Sequence, residues 1–389
     1  MMLYLKGRPA MIEINDQHKI FRQTVRDFVE KEIRPHVEEW EEKGFTPRHI
    51  WKKCGELGLL GIPYKEAYGG MNADYTFLMI FTEEMAQCGS LGVALGLAVQ
   101  TDMATPSLHE HGSEELKKEI LVPAIAGDFI GSIAITEPDC GSDAAGLKTS
   151  AQKNGKDYIL NGTKMFITNG TQADFFTVLA RTKNEPGHKC FTLFAVPAKI
   201  SGISIGRKLK KVSHLSSDTA EVIFNNVKVP EKYRIGDENM GFVYQMEQFQ
   251  FERLAASIQM LGVMKRCYKL TKDYVSSRKI FGKNISEFQI TRHKLAQMAA
   301  EITCVEALAE HCIEFANLKK DFTREVSMLK LLGAQTQQRV TEECVQLHGG
   351  YGLMAEYEVA RYFRDSKLAG IGGGSNEVMK EIIAKREDI

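Results

Sequence analysis

FIGSIAI at residues 129–135 is followed by YILNGTKMFI (158–167), DFFTVLA (174–180), CFTLFAV (190–196), ISIG (203–206) and AEVIFNNVKV (220–229). Each run is short and rich in β-branched and aromatic residues. Gly, Asn, Pro and Lys clusters separate them, the pattern of antiparallel strands joined by turns. Asn161-Gly162, between YIL and TKMFI, predicts a hairpin turn. No segment of helical period intervenes, so residues 129–238 predict an antiparallel, barrel-like or sandwich β domain, and not a set of βαβ units.

Outward from that stretch the period changes to that of helices. On the N-terminal side, Ile20, Phe21, Val25, Phe28, Val29 and Ile33 recur at three and four, one stripe of an amphipathic helix that Pro35 interrupts. Residues 76–100 predict a buried helix pair broken at Gly89-Ser90, and 113–126 a helix stopped by Gly127. On the C-terminal side, 241–274, 289–318 and 322–346 contain no proline and carry wide apolar faces, as in a packed bundle. The fold class is α+β multidomain: a helical domain over 1–128, the β domain over 129–238 and a helical bundle over 239–389.

The 389 residues carry 50 basic and 50 acidic side chains, and this balance argues against a nucleic-acid binder, which draws affinity from phosphate neutralisation. The 8 cysteines form no CxxC pair and have no clustered His partners, so free, mostly buried thiols are expected and a metal site is not. MMLYLKGRPAMI lacks the apolar core of a secretory signal and is expected to fray. No apolar run is long enough to span a bilayer. These features predict a cytoplasmic protein.

Four stretches could carry chemistry. IAITEPDCGSDAAGLKTS (133–150) contains neither a dinucleotide nor a P-loop glycine pattern. Thr136, Ser142 and the amides beside Gly141 could receive a polar planar ligand, although a polar strand connection reads the same way. In TKMFITNG (163–170), Phe166 and Thr168 alternate and should share one strand face; ordinary strand packing also favours such a pair. In SSRKIFGKNISEFQ (276–289), the donor fork of Arg278 beside a helix break near Gly282 could clamp a phosphate or form a surface ion pair. From 346 to 387, Gly349-Gly350 and Gly372-Gly373-Gly374 interrupt helical sequence, Ser375 and Asn376 could cap the last helix, and Arg361, Arg364 and Lys367 read as solvated or internally paired.

Taken in order, ITEPDCGSD (135–143), MFITNG (165–170), SRKIFG (277–282) and the tail from Gln346 to Glu387 resemble the acyl-CoA dehydrogenase family, and the resemblance covers essentially the whole chain. It implies an N-terminal helical domain, a middle β domain and a C-terminal four-helix bundle, assembled as a homotetramer or dimer. It also implies FAD as cofactor and electron-transfer flavoprotein as partner. Ile135, Thr136, Ser142, Phe166 and Thr168 would meet the flavin, with Phe166 where many members have Trp. Ser142 would also face the CoA side. From a neighbouring subunit, Arg278 would meet the pyrophosphate, while Phe281, Gln289, Gln346, Gly349 and Gly350 would line the adenosine portion. Ser375 takes the usual Thr position beside the cofactor, and Arg253 that of a buried, structurally important Arg on the substrate side.

One departure concerns the base. Many members end in Tyr-Glu-Gly-Thr, whose Glu removes the substrate α-proton; here the matching residues are Gly372, Gly373, Gly374 and Ser375. Glu252 in QFQFERLAAS stands at the alternative base position of the isovaleryl and long-chain branches, so the resemblance implies a swap of the base. Ordinary pairing with Arg253 or Lys265 is the competing fate of Glu252. The Gly373 N–H would donate to the thioester carbonyl, where such a donor stabilises enolate charge by about 3–4 kcal/mol. The implied reaction is α,β-dehydrogenation of a medium- or long-chain, branched-chain or terpenoid acyl-CoA to the trans-2-enoyl-CoA. The alternative is a flavin-dependent acyl-CoA oxidase or an altered member acting on another CoA thioester. The acyl cavity is expected along 95–103 and 245–252, with Gly96 and Ala98 leaving room for a longer chain.

Overall fold

The computed structural model describes residues 14–185 and 187–389, and the stretch expected to fray, 1–12, lies outside them. The described residues form two compact units, each assembled from separated segments. One comprises the described part of Met1–Lys31 with Asp74–Gly89 and Arg253–Ile389; the other comprises Glu32–Ala73 and Ser90–Glu252.

The first unit is helical. Helix Asp16–Phe28 starts at a reciprocal cap: the His18 N–H donates to the Asn15 side chain at 2.9 Å, and the Asn15 N–H donates to His18 Nδ1 at 3.3 Å. Val25, Phe28 and Val29 of the anticipated stripe are buried, whereas Ile20 is 68% exposed and lies off it. Helices Gly241–Ser277, which belongs to this unit from Arg253 onward, Gln289–Asn317 and Thr323–His348 occupy the three proline-free segments, and Asn376–Arg386 closes the chain. Buried Met298, Ile302, Val305, Ala309 and Cys312 recur every three or four residues along the second of these, the face that packs inward. Arg361 is paired internally: its Nε donates to the Gly89 carbonyl at 2.8 Å, while the Gly89 N–H donates to the Tyr362 hydroxyl at 2.9 Å. Together these two bonds fix the end of the segment that carries helix Tyr75–Ala86.

That helix contributes Glu83 to a buried charge cluster. Arg22 donates to Glu83 at 2.8 Å and to Glu84 at 2.7 Å, and Lys265 lies 2.6 Å from both Glu83 and Glu306. Burial alone would push the Glu83 carboxyl up. Lys265 and Arg22 more than offset it and hold the group at about 2.

The second unit is built on an eight-stranded sheet: β1 Gly131–Ala134, β2 Ser150–Asn154, β3 Asp157–Thr168, β4 Phe175–Arg181, β5 Phe191–Pro197, β6 Ile203–Lys208, β7 Thr219–Val229 and β8 Arg234–Ile235. The strand order is β6-β7-β3-β2-β4-β5-β8, with β1 also on β4. Most neighbours are antiparallel as expected, but β1 and β2 both meet β4 in parallel. The chain makes β2 and β3 between β1 and β4, which gives the long connection that parallel pairing requires. Alternate β4 and β5 residues feed two cores. Phe175, Leu179, Phe191 and Leu193 join Leu108, Leu116, Ile120 and Leu121, while Phe176, Val178, Phe194 and Val196 pack on Tyr158, Leu160, Val222 and Phe224.

Asn161-Gly162 is not a turn. Residues Asp157–Thr168 form one strand, and the pair lies at a register shift against β7. A Cβ on Gly162 would fall 2.3 Å from Thr149 Oγ1, so glycine there permits close approach of the neighbouring strand. The hairpin turn sits instead at an earlier Asn-Gly pair: Asn154 faces Asp157 across Gly155, whose φ is +66°. Of the cysteines, all are buried except Cys304. Among the described residues no helix is long and apolar enough to cross a membrane.

Replacing Glu83 by Gln removes a buried carboxylate shared by half-buried Arg22 and Lys265, which keep Glu84 and Glu306, and should cost about 1–3 kcal/mol of unfolding free energy in a urea titration. Because the folded carboxyl is held near 2, below its ordinary 4.5, its contribution is complete above 4.5 and is lost as pH falls toward 2. The stability gap between wild type and variant should therefore shrink over that acid interval.

Candidate active site

In the second unit the loop after β1 is fastened to β3 by a buried lysine. The Lys164 side chain is fully buried, and its Nζ donates to the Ile135 carbonyl at 2.8 Å, the Leu179 carbonyl at 2.9 Å and Glu137 Oε1 at 3.0 Å. Burial pulls its amine down to about 8, against the opposing pull of Glu137. The Glu137 carboxylate also accepts from the Thr149 N–H at 2.9 Å and the Lys148 N–H at 2.8 Å, so it ties both ends of the loop. The Met165 N–H donates to the Thr136 carbonyl at 2.8 Å. Ile135 and Thr136, both half-buried, are thus held beside the strand that carries Phe166 and Thr168; Ser142 lies exposed on the loop.

Phe166 reaches solvent by a different route from simple alternation. Tyr158, Leu160 and Lys164 share the buried parity of β3, and that parity would have turned Phe166 inward. A register shift between Lys164 and Ile167 reverses it, so that Ile167 is buried, Phe166 is 65% exposed and Thr168 is half-buried. Phe166 has φ of +62°, the left-handed region, which is costly for an aromatic residue and tends to mark functional positions.

Also in this unit, Glu252 is 5% exposed, and its Oε1 accepts from Gln245 Nε2 at 3.0 Å and Gln248 Nε2 at 2.7 Å. Lys265, the competing partner considered from sequence, goes instead to Glu83 and Glu306. The stretch 95–103 runs from helix Leu91–Ala98 into a wider turn at Val99–Ala104. Gly96 leaves no room for a longer chain: a Cβ there would lie 3.2 Å from Asn169 Oδ1 and 3.4 Å from the Trp51 ring. Ala98 is likewise buried. Asp102 in this stretch is buried, which pushes its carboxyl up to about 7 against a 2.8 Å hydrogen bond from Thr101.

In the first unit, Arg278, Gln346, Gly349 and Gly350 line one cavity of about 700 Å³, together with Thr291, Lys294 and Tyr351. The Arg278 guanidinium lies 5.8 Å from the centre of the Tyr351 ring. A Cβ on Gly349 or Gly350 would meet nothing within 4 Å, so both keep backbone open to the cavity. Phe281 and Gln289 are not in the lining. Phe281 and Gly282, at φ of +48° and +78°, turn the hairpin between Lys279–Ile280 and Lys283–Asn284, which leaves Phe281 93% exposed. Gln289 opens the following helix and is exposed.

In the tail, Gly373 and Gly374 have φ of +66° and +102°. Lys330 donates to the Gly374 carbonyl, and Arg253, 6% exposed, lies 3.9 Å from where a Gly374 Cβ would stand. Ser375 caps the last helix by accepting from the Val378 N–H at 3.3 Å. A cavity with a guanidinium, an ammonium, ring faces and two bare glycines suits the phosphate and adenosine end of a dinucleotide such as FAD.

Sequence reasoning missed the roles of Glu137, Lys164, Gln245 and Gln248. Lys164 could have been found, because it shares strand parity with Tyr158 and Leu160, so a lysine there needs buried partners.

Comparison with known proteins matches acyl-CoA dehydrogenase N-terminal, middle and C-terminal domain models over residues 15–128, 132–227 and 239–387. The chain is 39% identical over 374 residues to the mitochondrial long-chain specific acyl-CoA dehydrogenase of Sus scrofa, covering 95% of this chain and 86% of that protein. Its structure is similar to that of an acyl-CoA dehydrogenase from Geobacillus kaustophilus, with TM-score 0.92, 41% identity and coverage of 96% and 99% of the two chains. It is also similar to a glutaryl-CoA dehydrogenase from Mycobacterium smegmatis in complex with FADH2, with TM-score 0.91, 30% identity and coverage of 97% and 95%.

Replacing Glu137 by Gln strands the Lys164 ammonium in the sheet interior and should cost about 3–5 kcal/mol in urea unfolding. Combining it with Lys164→Met removes the stranded charge, and the double variant should unfold at a higher urea concentration than Glu137→Gln alone.

Proposed function

The chain belongs to the acyl-CoA dehydrogenase family, and we propose that within it Glu252 is the base that removes the substrate α-proton. It is an FAD-dependent oxidoreductase of fatty-acid β-oxidation. When bound, FAD supplies the acceptor for the β-hydride. In this reading Ile135, Thr136, Ser142, Phe166 and Thr168 hold the flavin end, with Ser375 beside it. Arg278, Gln346, Gly349 and Gly350 hold the phosphate and adenosine end, and the cavity they line supports that assignment. The Gly373 N–H donates to the thioester carbonyl, Ser142 and Arg253 serve the substrate side, and Glu252 takes the α-proton.

The observation that carries the base assignment is the state of Glu252 itself: a buried carboxylate oriented by two amide donors, in a chain whose residues 372–374 are all glycine. A buried carboxylate positioned by fixed donors suits proton abstraction better than a solvated one. The substrate in this reading is a medium- or long-chain or a branched acyl-CoA. Electrons pass to electron-transfer flavoprotein in the cytoplasm. As the resemblance implies, Arg278, Phe281, Gln289, Gln346, Gly349 and Gly350 serve the cofactor of a neighbouring copy within a homotetramer, and Phe281, held in a left-handed turn with its ring in solvent, is placed to reach it.

The test is anaerobic titration of the yellow protein with butanoyl-, octanoyl-, hexadecanoyl-, isovaleryl- and citronellyl-CoA. Bleaching by one class names the substrate, and no bleaching by any of them rejects the proposed reaction. Reoxidation of the reduced protein by O₂ as fast as turnover would favour an oxidase. Glu252→Gln should bind FAD normally and lose about two to four orders of magnitude in the rate of bleaching; bleaching at wild-type speed would remove Glu252 from the mechanism. Phe281→Ala should release flavin on gel filtration while each chain stays folded by circular dichroism.

A further inference from the structure

Gln245 is completely buried, yet half of its amide is unsatisfied. Its Nε2 donates to Glu252 Oε1 at 3.0 Å, while its Oε1 has no hydrogen-bond partner among the described residues. Turning the amide over would set its oxygen against the carboxylate and leave the NH₂ group in the unmatched place, so Glu252 fixes the orientation seen. A buried acceptor without a donor destabilises the fold, and an apolar side chain of similar length would avoid that penalty.

Gln248 is built differently. Its Oε1 accepts from the Ser107 N–H at 3.0 Å and the Ser107 hydroxyl at 2.5 Å, and its Nε2 donates to the Met103 carbonyl at 2.7 Å and to Glu252 at 2.7 Å. Every group of that amide is used, three of the four bonds fasten the helix to the Met103–Ser107 segment, and a structural role explains its presence. No such attachment explains Gln245, whose hydrogen bond to Glu252 is the single one made by its side chain among the described residues.

We infer that Gln245 is a positioning residue for the reaction: with Gln248 it clamps Glu252 Oε1, fixing the plane of the carboxylate at a cost in stability. The inference rests on the reading of Glu252 as the base. Residues 245, 248 and 252 stand three and four apart on one helix, so the donors arrive from the same stripe, one and two turns back. A single donor defines the direction of one hydrogen bond to the carboxylate oxygen. Two donors converging on the same oxygen fix its position more closely, and small misplacements of a base are expensive in rate.

The two possible roles of Gln245 predict opposite pairings of stability and rate. If it were only core packing, Gln245→Met would be neutral or stabilising and would leave turnover alone. As a positioning residue, the same variant keeps or raises Tm, retains full flavin content and leaves KM little changed, while kcat falls about tenfold, the worth of one hydrogen bond to a charged group. The kinetic isotope effect with α-deuterated substrate should rise, because proton abstraction becomes more rate-limiting. The assay uses the holoenzyme with whichever of the thioesters above bleaches it fastest, with Gln245→Leu measured in parallel in case Met packs poorly.

Wild-type kcat in a variant of unchanged or higher Tm overturns the inference. So does a kcat that falls only together with Tm or flavin content in both variants. Glu252→Gln in the same assay separates the two levels: if it turns over normally, the base assignment fails and the inference with it. If Glu252→Gln is inactive and Gln245→Met is as fast as wild type, the inference alone fails.

Discussion

The Lys164 ammonium is the constraint on which the loop after β1 depends. A full charge inside a sheet is tolerable only if every proton finds an acceptor, and here the three acceptors come from the loop and from β4. The strand therefore cannot settle without the loop, nor the loop without the strand. Glu137 extends the constraint, because its carboxylate collects backbone N–H groups from the far end of the loop. Thr136, Ser142 and Phe166 lie on backbone fixed by this one ion pair, although none of their side chains takes part in it.

The helical unit uses the same device in inverted form. There the buried carboxylate of Glu83 is surrounded by cations from helices far apart in sequence, whereas in the sheet a buried cation is surrounded by oxygens. Each cluster joins segments that hydrophobic packing would bring together without fixing their register. An apolar contact tolerates sliding by an ångström; a charge with a defined set of partners does not. Both units are assembled from non-contiguous stretches, which is where such specificity counts most.

Much of this was legible in the sequence. Change of period marks the β region, absence of proline marks the long helices, and Ser375 has the chemistry of the cap it forms. The family resemblance then supplied site residues that no single motif would have justified, and the cavity brings Arg278, Gln346, Gly349 and Gly350 together. The misreadings share a cause, in that each concerned a residue whose local preference was overruled by a distant neighbour. Asn161-Gly162 has turn chemistry, but Thr149 needs the glycine for close approach. Gly96 reads as empty space, but Trp51 and Asn169 fill it.

The distribution of cysteines has a practical side. A thiol reacts as its thiolate and only where a reagent can reach it. Seven of the eight are buried, and burial pushes Cys312 and Cys344 up to about 12 and Cys54 higher still, so access and ionisation are denied together. Cys304, exposed on helix Gln289–Asn317, is the thiol an alkylating reagent meets first. The native chain thus carries its own attachment point for a fluorophore or spin label, with no cysteine to be introduced or removed. The remaining thiols act as a silent clock, and the rate at which they become alkylated measures how often each buried region opens.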